Sequence, residues 1–396
     1  MPKHLPPTAV PIRLSDLRRG LRPPAGVEAQ FQAALTGYLD TRACYLAASG
    51  RAALHLLLKG LAERADGPAR REVLMPAYTC PALAKVALDL DLRPRLVDIS
   101  PHSMAFEGAH LEAQVSERTL AVMCVHPFGI PQPVEPILAL ADRVGAVVVE
   151  DAAQSLGARL GGRPVGVQGH FGLFSLGPGK PISTGGGGIL CTNQAGYIPL
   201  VERAWEALPP SSALASAWTL ARLALLALAF HPRGWWLATR VGLQRAGDRE
   251  ASWGYGLRRL SPAQAAVGLA LLERLDAINR RRRENARRMI ACLQELGFVH
   301  IPSPAATAEP IYLRLPLLVS DEERRERLYR RLWAAGIGVG RMYRHPLSDI
   351  FPQIATESYP GASFIARHLL TLPTHHYLSD ADIEQIARIF QAEDST

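Results

Sequence analysis

Between residues 43 and 191, short apolar runs rich in Val, Ile and Leu alternate with stretches whose apolar residues recur every three or four positions. Glu72–Met75, Arg95–Val97, Leu120–Val125 and Ala146–Val149 read as buried strands, and Ala52–Leu61 and Pro133–Val144 as helices between them. This alternation predicts a mostly parallel sheet covered by helices, an α/β architecture. Open sheets of this kind bind ligands beyond the carboxyl ends of their strands. Asp151, just past one such end, therefore stands where function should gather.

A second region begins with apolar residues at helical spacing from Pro262 to Leu296, predicting one long helix. Pro310–Val319 then reads as a strand and Asp321–Ala335 as a helix, with a turn at Gly336-Ile337-Gly338. A last helix, Asp380–Ala392, has Ser379 placed to cap it. A chain of 396 residues exceeds what one core sustains. The expected division is a large domain over 1–260 and a linking helix with a smaller α+β domain over 261–396.

Within an insertion of about 209–245, Ala213–Phe230 is almost wholly apolar, and its polar residues Ser216, Thr219 and Arg222 fall at steps of three. Tryptophans and a cation follow in His231-Pro232-Arg233-Gly234-Trp235-Trp236, as at a membrane interface. Eighteen helical residues span about 27 Å, short for a bilayer. Arg222 near the middle adds roughly 2.5–3.5 kcal/mol to the cost of crossing. Two expectations stay open for 213–236: contact with the membrane surface, or packing against a partner subunit.

Composition narrows the class. With 48% apolar and 20% charged residues the chain is globular rather than disordered. Its five cysteines lack CxxC spacing, which argues against a disulfide framework or zinc site. The net charge of +8 favours anionic partners, but no nucleic-acid motif accompanies it, so none is expected there. The stretch Met1–Pro7 has no apolar signal-peptide core, giving a cytoplasmic expectation, at most peripheral at the inner membrane face. The run Arg280–Arg283 reads as a solvated helix face, with Glu284 and Arg288 at pairing distance.

Candidate chemistry centres on Lys180, which follows Asp151 by 29 positions. A lysine amine can hold pyridoxal 5'-phosphate (PLP) as a Schiff base, and a buried carboxylate can keep the pyridine nitrogen protonated so that the ring accepts electrons. Gly50-Arg51-Ala52 opens a helix directly after an apolar run, where amides can cradle a phosphate. His375 and His376 are adjacent rather than spaced for one ion, and no metal is expected.

Taken in order, these pieces resemble a known family. Gly50-Arg51-Ala52-Ala53-Leu54, Pro76-Ala77-Tyr78-Thr79, His126-Pro127-Phe128-Gly129, Glu150-Asp151-Ala152-Ala153-Gln154, Ser175 to Lys180, Gly187-Gly188, Arg259-Leu260-Ser261 and Tyr359-Pro360-Gly361-Ala362 follow the sequence order of the DegT/StrS-type aminotransferases. The resemblance implies a fold-type-I PLP-dependent transferase with a seven-stranded-type sheet. It implies amino transfer from an amino acid, glutamate above all, to a nucleotide- or lipid-linked keto sugar in polysaccharide or glycoconjugate synthesis, by a homodimer.

By the same resemblance, Lys180 and Asp151 are catalytic, and Gln154, Ser175, Gly50, Arg51, Ala52 and Cys80 join them around the cofactor. Tyr78, His126, Tyr343 and His345 fall on the substrate side. Arg259 lies in a segment that crosses to the partner subunit in relatives. Four positions depart from the pattern: Arg51 for Thr or Ser, Cys80 for a ring-stacking aromatic, Gly186 for an acid and Leu257 for asparagine. These leave two alternatives: a PLP-dependent lyase or dehydratase on a sugar, or a membrane-docked scaffold with little catalysis. Lys180 itself weighs against the related sugar dehydratases, in which histidine stands there.

Overall fold

The computed structural model describes residues 4–65, 70–240 and 254–394. Helices α1 (Leu14–Leu21) and α2 (Val27–Leu39) precede β1 (Ala43–Ala47), α3 (Gly50–Arg64), β2 (Glu72–Pro76), α4 (Pro81–Leu88) and β3 (Arg93–Val97). The chain continues through α5 (Gly108–Gln114), β4 (Thr119–Val125), α6 (Glu135–Val144) and β5 (Val147–Asp151). A small ribbon, β6 (Arg159–Leu160) and β7 (Arg163–Pro164), leads to β8 (Phe171–Ser175) and β9 (Gly188–Thr192). The seven long strands form one sheet in the order β1-β9-β8-β5-β4-β2-β3.

Pairing is parallel from β3 to β8, and β9 runs antiparallel to both β8 and β1. The Val-rich sequence of β5 is buried throughout, as a strand covered on both faces requires. Because side chains alternate across a strand, Val147 and Val149 enter the core on one face and Val148 the core on the other. Asp151 inherits the first face by parity and Glu150 the second.

After α7 (Ile198–Glu206) come α8 (Ala213–Ala229) and α9 (Pro232–Arg240), bent by 90° to each other. No single described helix is long and apolar enough to cross a membrane. Residues 241–245 of the expected insertion lie outside the described residues.

The long helix expected over Pro262–Leu296 is two helices, α10 (Pro262–Leu272) and α11 (Leu275–Leu293). The break falls at Arg274, whose guanidinium turns to Asp16 at 2.5 Å and to the Pro11 carbonyl at 3.3 Å. Nearly all of α10 is buried, in the same core as α2 and β9. Beyond it lie β10 (Val299–His300), β11 (Ala308–Glu309), β12 (Arg314–Val319), α12 (Glu322–Ala334), α13 (Leu347–Ile350), α14 (Pro360–His368), β13 (Leu369–Pro373) and α15 (Asp380–Asp394). The antiparallel sheet β10-β12-β13 shares a second core with α11, α12 and α15, and Leu5 from the N-terminal segment joins it.

Candidate active site

The carboxyl ends of β4, β5 and β8 lie side by side, and the end of β5 carries the first candidate group. Asp151 is buried, and its Oδ1 accepts the Ala153 amide at 3.0 Å. Its Oδ2 receives no hydrogen bond from a described residue. Burial pushes the Asp151 carboxyl's pKa up, and the nearby Lys180 charge opposes that shift. Across the cleft, burial pulls the Lys180 ammonium's pKa down while Cys80 and Asp151 oppose it. Each group is thus held where its charge lacks full solvation.

Lys180 projects from the turn after β8. Gly179 there has φ 76°, a left-handed conformation suited to glycine, and the Lys180 amide meets the Gly177 carbonyl at 3.3 Å. Three helices grip the loop that follows. Arg222 of α8 donates to the Gly185 carbonyl, Gln264 of α10 donates to that of Gly186 at 3.0 Å, and Arg282 of α11 donates to that of Pro181 at 3.1 Å.

Arg282 corrects the expectation of a solvated arginine run. It is fully buried, bonded to Asn279 at 2.8 Å, and burial lowers its pKa to about 9. The expected Glu284–Arg288 pair is also replaced: Glu284 faces Arg281 at 3.7 Å and Arg288 faces Asp380. On a helix packed against a protein, one position in four of a charged run turns inward.

The structure gathers Cys80, Tyr78 and Tyr343 around Lys180 and Asp151. Cys80 stands at the N-terminus of α4 near Tyr343, whose hydroxyl pKa burial pushes well up, with the nearby Cys80 thiol adding to the shift. The Tyr78 and Tyr343 rings meet edge to face at 5.8 Å. The Tyr78 hydroxyl is buried and approaches the Tyr343 backbone without a well-formed hydrogen bond.

A second group forms where α3 begins. A Cβ on Gly50 would sit 3.4 Å from Ser175 Cβ and 3.6 Å from its Oγ, in ordinary van der Waals contact, so the start of α3 lies against Ser175. Ser49 caps α3 by accepting the Ala52 amide at 3.1 Å. Arg51 lies 5.8 Å from the Tyr255 ring. Ser175 Oγ accepts the Gly177 amide at 3.3 Å, and Gln154 Oε1 accepts that of Phe128 at 3.2 Å.

Two expected substrate-side residues are engaged differently from that expectation: His126 adjoins Asp151, its amide donating to the Asp151 carbonyl at 3.0 Å, but its ring is committed to other partners. His126 is buried, with Nδ1 accepting the Gln132 amide at 2.9 Å and Nε2 donating to Glu150 at 3.0 Å. Both nitrogens are therefore engaged within the protein. His345 is exposed and lines a cleft with Arg325, Arg341, Arg344 and Arg367. Arg259, expected at a subunit contact, lies 4.3 Å over the Trp205 ring and donates to the Glu206 carbonyl at 2.7 Å within its own chain.

Sequence reasoning overlooked Arg314 and Glu150. Arg314 opens β12 beside Lys180; its Nη2 is 3.6 Å from the Cβ position of Gly179 and its Nη1 is 3.4 Å from Met342 Sδ. No described carboxylate pairs with it, and burial lowers its pKa. A lone cation heading the apolar run Leu315–Val319 is the signal that could have found it. Glu150 is fully buried and accepts the amides of Gly166, Gln168 and Gly169 at 2.7, 2.6 and 2.6 Å, besides His126.

The donor set fits PLP. Lys180 supplies an amine of depressed pKa, Asp151 a buried carboxylate with an oxygen left for a protonated pyridine nitrogen, and the start of α3 with Ser175 a place for phosphate. Comparison with known proteins points the same way. Residues 26–204 and 231–391 match the model of the DegT/DnrJ/EryC1/StrS aminotransferase family. The chain is 29% identical to GDP-perosamine synthase of Caulobacter vibrioides, over 90% of this chain and 87% of that protein. It is 31% identical to L-glutamine:scyllo-inosose aminotransferase of Streptomyces griseus, over 81% and 70%. The aminotransferase TlmJ of Streptoalloteichus hindustanus superposes with a TM-score of 0.78 at 25% identity, covering 100% of this chain and 99% of that one. The chain belongs to the DegT/DnrJ/EryC1/StrS aminotransferase family, and it is a fold-type-I, PLP-dependent aminotransferase.

Proposed function

We propose that this aminotransferase moves an amino group from an amino acid, glutamate first, to the carbonyl carbon of a keto sugar carried on a nucleotide or a lipid. The juxtaposition of Lys180, Asp151 and Arg314, which no described carboxylate pairs with, carries the reading. Bound PLP supplies the electron sink for cleaving the donor's Cα–H bond. Asp151 would hold the pyridine nitrogen in its protonated form. With its pKa lowered by burial, the Lys180 amine can take a proton from the donor's α-carbon and return one to the acceptor's carbon. Arg314, short of a carboxylate, is suited to take the donor's carboxylate in a two-pronged contact.

Sugar-like acceptors are supported by two relatives, one named for a GDP-linked product and one for an inosose acceptor. The second names glutamine as donor, so both amino acids belong in the test. A homodimer working in the cytoplasm completes the proposal; exposed Leu257, in the segment that crosses between subunits in relatives, supports a contact there.

The test is the visible spectrum of the PLP-loaded protein before and after adding glutamate, glutamine or alanine. Conversion to pyridoxamine by glutamate, lost in Lys180→Ala, followed by return to PLP on adding a nucleotide-linked keto sugar, is the expected result. Loss of a water or side chain from the sugar without amination would replace the proposal with lyase or dehydratase chemistry.

A further inference from the structure

Helix α8 is apolar on its outer side as well as its inner one. Its polar side chains point at the protein or at its own backbone: Arg222 donates to the Gly185 carbonyl, Thr219 to that of Ala215 at 2.8 Å, and Ser216 to that of Ser212 at 3.0 Å. Leu220 and Leu223 are buried in the core on the inner side, but four further large apolar side chains point at solvent: Leu214 is 81% exposed, Trp218 71%, Leu225 66% and Leu228 69%. With exposed Ala221 they fall at 214, 218, 221, 225 and 228, one continuous stripe on a helix. Leu237, 58% exposed, adds to it from α9. A helix of a monomeric soluble protein keeps its outer face polar.

The chemistry around the stripe identifies what covers it. Residues 207–240 contain no Asp or Glu, while Arg233 and Arg240 are exposed. Arg240 lies 4.9 Å over the Trp236 ring, a pairing of aromatic and cation suited to a lipid headgroup layer. The 90° bend between α8 and α9 suits lying along a surface rather than crossing it. Residues 205–230, which hold α8, also fall outside the family match, whereas α9 falls within it, so the matched family pattern does without α8. A contact shared by all family subunits would not need it.

We infer that α8 and α9 form a docking face for an anionic phospholipid surface, with Leu214, Trp218, Leu225, Leu228 and Leu237 entering the headgroup boundary and Arg233 and Arg240 meeting lipid phosphates. The inner side of α8 holds the loop after Lys180 through Gly185, so docking places the membrane on the flank of the active site.

The test is flotation of the full PLP-loaded chain with vesicles of phosphatidylcholine alone and of phosphatidylcholine with about one quarter phosphatidylglycerol. The protein should favour the anionic vesicles by about tenfold or more, and Arg233→Glu with Arg240→Glu should remove that preference. Trp218→Ser with Leu225→Ser and Leu228→Ser should abolish flotation while the visible band of lysine-linked PLP persists, since these side chains support no core. Wild-type protein that fails to float with either vesicle, or a triple variant that floats as well, overturns the inference. So does a triple variant whose only change is a smaller oligomer in sedimentation velocity, which assigns the face to a second copy.

Discussion

On β5, Glu150 and Asp151 are neighbouring carboxylates that face opposite sides of one sheet. Glu150 receives three backbone amides and the His126 ring, which fills its capacity with protein donors. Asp151 receives one amide. The difference separates architecture from chemistry: a saturated buried carboxylate fixes chain paths, and one left short of donors awaits a ligand. The same contrast divides the cations, since Arg282 bonds Asn279 and the Pro181 carbonyl while Arg314 faces Lys180 without a carboxylate.

Neutralising each carboxylate is the strongest attempt to break this comparison. Asp151→Asn should lower kcat by about 10^3 while leaving the urea midpoint close to wild type, because the lost charge served a transition state. Glu150→Gln should do the reverse. It converts acceptors of three amides into a group with one acceptor oxygen, and stability should fall by about 3–4 kcal/mol with modest change in kcat per folded molecule. Kinetic loss at Glu150 together with thermodynamic loss at Asp151 would invert the assignment.

A smaller effect sharpens the cationic half. Arg314→Met should cut kcat/KM for the amino donor by about 30- to 100-fold, with kcat/KM for the keto acceptor nearly unchanged, while Arg314→Lys should restore part of the loss. Equal losses for donor and acceptor would show that Arg314 supports the cleft generally rather than reading a carboxylate.

What was legible in the sequence follows the same line. Strands such as Val147–Asp151 announced themselves through Val-rich runs, and Ser379 as a cap through its position; its Oγ accepts the Asp382 amide at 3.4 Å. These are local signals. Arg274, at the break, bonds Asp16, 258 positions away, and no periodicity carries that contact. Arg282 was read as solvated by composition, yet its spacing from Ile278, Asn285 and Met289, all inward-facing, places it on the buried side of α11. In the site, Asp151 and Lys180 stood out by motif, while Arg314 required knowing which strand folds back over the lysine turn.

The smallest effect lies outside the cleft, at a group that also lacks partners but holds no ligand. His376 is partly buried, makes no hydrogen bond with a described residue, and sits near Arg282 and His231 against the Tyr377 ring. Burial first, then the charges of Arg282 and His231, lowers its pKa from 6.5 to about 4. The unfolded chain therefore binds a proton at this site more readily than the folded one between those values, so stability rises with pH across that window and is lost on acidification. Between pH 7 and pH 5 this one group should cost about 2 kcal/mol, read as a falling urea midpoint. In His376→Gln the fall should shrink by that amount, with kcat at pH 7 unchanged. A variant that loses activity while keeping the wild-type pH slope would show that missing partners mark chemistry here too, and the contrast drawn on β5 would then hold only for the two carboxylates.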